Sequence, residues 1–167
     1  AGGGQSLGLI RSARPCVTAA LAEDTGRPTL VITARIDSAN NLAEQLLAWA
    51  PGLRVLTYAE PNPIFYQRSA WGPGSTRARL QVLAELVTGS APDTVVVASA
   101  RGLMQRTLPR DTLLTNSIKL EHNGRVPGGQ PDRLLHRWVQ MGYGAVTVVT
   151  APGTFSRRGG ILDIFPM

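Results

Sequence analysis

The strongest constraint in this sequence is an alternation. Three short apolar runs, RPTLVITA (27–34), LRVLTYA (53–59) and TVVVAS (94–99), are separated by stretches whose apolar residues recur at helical spacing. An unbroken run such as TVVVAS suits a strand buried on both faces, and such strands occur in parallel sheets covered by helices. Strand, helix, strand, helix, strand therefore predicts an α/β domain with a mostly parallel sheet over residues 1–100. Pro15 suits the first turn of a helix reaching Asp24. Ser38 is a candidate cap for the helix ANNLAEQLLAWA. Its inward face is expected to hold Leu42, Leu46 and Leu47 with Trp49 or Ala50, and Pro51-Gly52 ends it. A third helix is expected over TRARLQVLAELVTG, with Leu80, Leu83, Leu86 and Val87 on one face and Gly89 as its stop.

After Ser99 the rhythm changes. A short helix is expected at ARGLMQR, a strand around SIKLEH, a turn at NGRVPGGQP and a helix over PDRLLHRWVQMGY with Leu134, Leu135, Trp138 and Met141 inward. AVTVVT and the two halves of TFSRRGGILDIFPM read as three strands, the last two joined by a tight turn at Gly159-Gly160. Residues 101–167 are thus expected to form a smaller α+β domain. ILDIFPM alternates like a strand and ends without a polar tail, so the chain is expected to be a fragment whose last strand pairs beyond residue 167.

Composition narrows the classes of function. Hydrophobic residues make up 43% of the 167, enough for a core. No apolar run approaches the roughly 20 residues that span a bilayer, and the first residues lack the order of a signal peptide. The single Cys16 excludes an internal disulfide framework and is expected to be a packed small residue. A cytosolic setting follows. The formal net charge of +6 invites a nucleic-acid partner, yet the basic residues are spread singly apart from Arg157-Arg158, and Lys119 is the only lysine. His122 and His136 stand alone, without ligand spacing for a metal. Ser12 has no credible catalytic partner, and Asp93 and Glu121 read as loop and surface charges. Trp49, Phe65, Tyr66, Trp71 and Trp138 read as core and loop anchors and not as a base-stacking stripe.

GLIRSARPC (8–16) nearly spells a phosphate-binding loop. Such a loop needs G-x-x-x-x-G-K-[ST], because main-chain N–H groups wrap phosphate, the lysine reaches its terminal oxygens and the hydroxyl holds Mg²⁺. With Gly8 first, Ala13, Arg14 and Pro15 occupy the three closing positions. Pro15 brings neither hydroxyl nor N–H, and Arg14 replaces a compact ammonium by a planar fork. No cofactor is expected.

The surroundings carry a resemblance. VVVASARGLMQ and, above all, GTFSRRGGILDIFP resemble the G-T-F-x-x-R-G-[GD]-x-[LI]-[DE]-I-F-P region shared by the nucleotide-excision-repair protein UvrB and the bacterial transcription-repair coupling factors. The resemblance covers essentially the whole chain. It implies a helicase-like, P-loop-derived sheet (UvrB domain 1A-like, 1–100), then a UvrA-interaction domain (UvrB domain 2-like, truncated, 101–167). UvrB keeps Lys and Thr where Arg14 and Pro15 stand, and it carries a long β-hairpin insertion for which LTYAEPNPIFYQRSAWGPGSTRARL has no room. Both departures favour the coupling-factor side, with no ATPase activity in this chain. The resemblance further implies that UvrA docks on a face carrying His136, Arg137, Phe155, Arg157, Arg158 and Asp163, while Ser156 stands where UvrB has another Arg. RNA polymerase and DNA would be engaged by parts outside this chain. The competing readings are a UvrB-type ATP-dependent repair protein and a basic DNA-binding module.

Overall fold

A computed structural model of the chain describes residues 4, 6–61, 71–89, 91–125 and 130–167. Phe65 and Tyr66, most of the proline-broken loop, and the centre of the expected turn after Asn123 lie outside the described residues. The contacts divide the chain into two compact units: Ala1–Glu60 with Thr88–Gln105, and Pro61–Val87 with Arg106–Met167. Residues 61–87, inside the expected span 1–100, thus group with the second unit.

In the first unit a 3-10 turn over Arg11–Ala13 leads into α1 (Arg14–Thr25), followed by β1 (Thr29–Thr33), α2 (Ile36–Trp49) and β2 (Arg54–Tyr58). Further along the chain β3 (Thr94–Ser99) and α4 (Ala100–Leu103) complete the unit. The strands pair in the order β1-β3-β2, all parallel, with Val31 opposite Val97 and Val55 opposite Val95. All six residues of β3 are buried, as its unbroken apolar run predicts for a central strand. Val95 and Val97 share one core cluster with Ala19 and Ala22 of α1 and with Ala39, Ala43 and Leu46 of α2. That helix–helix seam is built of alanine, which lets two helices approach closely.

The inward stripe of α2 keeps Leu42, Leu46 and Ala50 of the expected face but replaces Leu47 and Trp49 by alanines. Ala39, Ala43, Leu46 and the following Ala50 are buried, whereas Leu47 and Trp49 are exposed. Steps of four, three and four residues keep one stripe on a 3.6-residue helix. Leu47 and Trp49 fall off that stripe. The helix also starts two residues before Ser38, which accordingly caps nothing; Arg35 stands at the cap position.

The second unit begins with α3 (Pro73–Thr88), whose Thr88 belongs to the first unit, and continues with α5 (Arg110–Asn116) and α6 (Pro131–Gln140). The buried residues of α3 are Arg79 and Val82, and Leu86 of the expected leucine face is exposed. The Arg79 guanidinium lies over the Trp71 ring, 5.2 Å from its centroid, a placement that compensates charge taken from water.

β4 (Gly144–Ala145), β5 (Thr154–Arg158) and β6 (Ile161–Phe165) form a sheet in that order. The β5–β6 hairpin is antiparallel, with Arg158 opposite Ile161. Gly159 has φ 60°, which a two-residue hairpin turn requires. The core beneath is aromatic: Trp138 of α6 packs on Phe155, ring centroids 5.5 Å apart, and on Tyr143 at 6.4 Å. Leu134 is buried with them, and Leu135, Met141, Leu162 and Ile164 pack around, as expected for the inward face of α6.

Two expected strands are absent or reduced. SIKLEH is not a strand: Ile118 packs on the aromatic core, Lys119 and Glu121 pair in solvent at 2.8 Å, and among the described residues no neighbouring strand bonds to it. AVTVVT contributes only Ala145 to β4, which with the preceding Gly144 runs parallel to Thr154 and Phe155. Just beyond the last paired residue the Ser156 hydroxyl donates to the Thr147 carbonyl at 3.1 Å. Val146 and Val148 remain exposed. No described helix is long and apolar enough to cross a membrane.

Candidate protein-docking surface

Of the charged residues singled out near the chain's end, Arg157, Arg158 and Asp163 lie on the β5–β6 hairpin, His136 stands one helical turn from the Asp132 that Arg157 reaches, and Arg137 turns to α5. Arg158 donates from Nη2 to Asp163 Oδ2 at 2.6 Å, across the antiparallel pair. Strand register explains this contact: Arg158 is opposite Ile161 and Ser156 is opposite Asp163, so Arg158 and Asp163 are diagonal neighbours, within reach of a long side chain. Arg157 reaches the Asp132 carboxylate in the first turn of α6. The Asp132 carbonyl also lies 2.9 Å from His136 Nδ1, one helical turn on. Arg137 donates to the Thr115 carbonyl at the end of α5. All four basic or acidic side chains of the two ion pairs are substantially exposed, Arg158 at 69%.

The pairs orient the guanidiniums more than they stabilise the fold. An exposed pair contributes about 0.2–1 kcal/mol. What it does is hold each planar fork against one carboxylate while leaving further N–H donors free for another acceptor. Along the same edge runs a shallow depression of about 470 Å³ lined by Ala145, Val146, Thr147, Phe155, Ser156, Arg157 and Arg158.

Phe155 stands apart from the residues grouped with it in the sequence. Its side chain is 6% exposed and stacks inside the core. The face carries Arg157 and Arg158 because Phe155 anchors their strand to α6; Phe155 itself does not lie on the face. Asp132 is the residue that sequence reasoning missed. A Pro-Asp pair opening a helix was visible, but a partner 25 positions away was not.

The near-loop in the first unit looks different. Gly8 has no neighbour within 4 Å of where a Cβ would stand and no left-handed backbone, so nothing there demands glycine. Ala13 closes the 3-10 turn by donating to the Ile10 carbonyl at 3.1 Å. Arg14 is exposed, and the Pro15 ring is buried at the start of α1. The segment is a helix entry, with a packed proline where a phosphate cradle would present N–H and hydroxyl.

A second depression, of about 230 Å³, lies at the carboxyl ends of the parallel strands, lined by Ala34, Arg35, Ile36, Asp37, Glu60 and Arg101. Open α/β sheets bind ligands at such ends. Here Arg35, Asp37 and Arg101 are exposed, whereas the Glu60 carboxylate is tied to a buried group. The buried Ser99 hydroxyl donates to the Glu60 carboxylate and accepts from Gly102 N–H at 2.9 Å, capping α4. A Cβ at Gly102 would lie 3.1 Å from that hydroxyl oxygen. Among the described residues no three His, Cys, Asp or Glu side chains form a metal-binding group.

Comparison with known proteins fits this division. Residues 119–167 match the family described as the UvrB interaction domain. The chain is 32% identical over 160 residues to a transcription-repair-coupling factor of Bacillus subtilis (strain 168). It is 26% identical over 160 residues to those of Staphylococcus aureus strains USA300 and NCTC 8325 / PS 47. In each case the match spans 96% of this chain and 13% of the relative's length. Over nearly its whole length, then, this chain is homologous to one stretch of the transcription-repair-coupling factors and carries in its second half the match to a UvrB interaction domain.

Proposed function

We propose that this chain is a protein-recruitment module of a transcription-repair-coupling factor, docking UvrA through the hairpin face that bears Arg157 and Arg158. The observation that carries the reading is the pair of exposed, carboxylate-oriented guanidiniums within the stretch matching the UvrB interaction domain. Forked donors suit bidentate pairing with carboxylates of a partner. His136 and Arg137 on α6 and Asp163 on β6 complete the polar surface, and Phe155 supports it from inside. RNA polymerase and DNA are engaged by other parts of the longer protein, and the setting is cytoplasmic.

In the same proposal the first unit is a helicase-derived α/β domain that has lost its nucleotide site. The buried Pro15 and the helix entry at Ala13 and Arg14 support that reading. Calorimetric titration with ATP and Mg²⁺ is expected to show no binding in the micromolar range; micromolar binding would return the chain to the ATP-dependent class.

The experiment for docking is a binding measurement with UvrA. Arg158→Ala is expected to weaken binding at least tenfold, about 1.4 kcal/mol. Arg54→Ala in the first unit is expected to change it little. If both Arg158→Ala and Arg137→Ala stay folded and bind UvrA like the parent, the docking face lies elsewhere.

A further inference from the structure

The geometry points to an added strand: the docking partner contributes an extended, acidic segment that pairs with the edge of β5 where β4 ends. This rests on the reading that UvrA docks at the hairpin face, and it specifies how.

Main-chain polar groups along a strand point alternately to its two sides. On β5 the side facing β4 is fixed by two bonds, Gly144 N–H to the Gly153 carbonyl and Val146 N–H to the Phe155 carbonyl, both at 2.9 Å. The Gly153 and Phe155 carbonyls and, by alternation from Phe155, the Arg157 main chain therefore face β4. The Gly153 N–H donates to the Phe165 carbonyl of β6, and Ser156 and Arg158 face β6. Yet β4 ends at Ala145. Among the described residues nothing pairs with the Arg157 main chain on that side. The chain that would have continued the ladder is held off at Thr147, whose carbonyl accepts from Ser156 Oγ.

The gap is the depression of about 470 Å³. One wall is the free edge of β5, the other the diverging segment Ala145, Val146 and Thr147, with Val146 37% accessible. An edge with unpaired N–H and C=O groups is a template for a further strand. Recognition by strand addition takes affinity from such main-chain bonds and specificity from side chains on alternate positions. Here those side chains would meet Arg157 on the face it shares with Phe155 and Arg158 on the opposite face, which it shares with Ser156.

Charge selects the occupant. Arg157 and Arg158 line the depression in a chain of net charge +6. A second copy pairing at this edge would bring its own arginines against these, and like charges across a strand pair are destabilising. Carboxylates on an entering strand meet guanidinium donors already oriented by Asp132 and Asp163.

The test reads the Arg157 amide directly. In the free chain its hydrogen exchange is expected to be fast while that of Ser156, bonded toward β6, is slow. Saturating UvrA is expected to slow the Arg157 amide at least tenfold. Arg157→Ala keeps the N–H and Arg157→Pro removes it, and proline is tolerated at a sheet edge whose N–H faces outward. Arg157→Pro, with Ser156 still protected, is expected to bind UvrA at least tenfold more weakly than Arg157→Ala. Binding of UvrA with unchanged exchange at Arg157, or equal affinity of the two folded variants, overturns strand addition and leaves docking intact. Absence of any UvrA binding by the parent chain overturns both. Protection of Arg157 that grows with the chain's own concentration assigns the edge to a second copy and also overturns the proposal.

Discussion

The two units handle polar groups in opposite ways. At the ends of the parallel strands in the first unit, Ser99 is fully buried and spends its hydroxyl on Glu60 and on the cap of α4. At the end of the hairpin in the second unit, Arg157 and Arg158 pair with Asp132 and Asp163 in solvent. The first arrangement ties the Ser99 hydroxyl to the Glu60 carboxylate at the place where an α/β sheet ordinarily receives a ligand, beside exposed Arg35, Asp37 and Arg101. The second displays donors that a partner can still use. The difference follows from packing: an alanine seam and a fully buried central strand leave the first unit small, inward-facing side chains, whereas three aromatic rings under the hairpin supply an anchor that lets its tip display Arg157 and Arg158 beside exposed Ile161. Where the core is strong, the surface is free for recognition.

The largest expected effect tests that anchor. Trp138→Ala removes the ring that contacts both Phe155 and Tyr143, and a buried tryptophan truncated to alanine costs about 3–5 kcal/mol. Urea unfolding followed at the β5 and β6 amides is expected to show the hairpin lost. A loss under about 1 kcal/mol, the size of an exposed contact, would mean the aromatic cluster does not hold the displayed surface.

Glycine sharpens the contrast next. Gly153 has φ 75°, and a Cβ there would stand 2.9 Å from Met167 Sδ. Gly153→Ala is therefore expected to destabilise by about 1–3 kcal/mol. Gly8→Ala, in open space at ordinary backbone angles, is expected to stay within about 0.5 kcal/mol. Equal thermal shifts for the two would contradict the assignment of strain to the second unit and of a plain helix entry to the first.

The smallest pair compares the two polar arrangements themselves. Ser99→Ala deletes a buried cap and leaves Gly102 N–H and Glu60 without their partner, at a cost of about 0.5–2 kcal/mol. Asp163→Ala deletes one half of an exposed pair and is expected to cost about 0.2–1 kcal/mol. Chemical denaturation curves should rank them in that order. In UvrA binding the rank should invert, with Asp163→Ala the more damaging because it releases the Arg158 fork.

Much of this was legible in one dimension. The alternation of apolar runs with helical spacing determined a parallel α/β unit, and the unbroken TVVVAS determined its central strand, because a strand covered on both faces has no polar side to reveal. The inward face of α6 was legible for a related reason: Leu134, Leu135, Trp138 and Met141 mark a stripe that only a helix brings together. The Gly159-Gly160 turn and the adjacent arginines marked the hairpin tip, since a tight turn excludes a buried charge pair. In α2 Leu42, Leu46 and Ala50 were legible but the rest of the stripe was not, because alanines at Ala39 and Ala43 look neutral in sequence and become the core only when α1 brings Ala19 and Ala22 to the same cluster. The length of β4 was not legible either. AVTVVT has every local preference for a strand, yet pairing stops where Ser156 takes the Thr147 carbonyl. Nor could spacing show that Asp132 answers Arg157, or that Phe155 and Ser156 are buried while Arg157 and Arg158 are exposed. Local preference and periodicity were carried by the chain itself; which groups met, which edge stayed open and which charges found partners were decided by residues far apart in sequence folding onto one another.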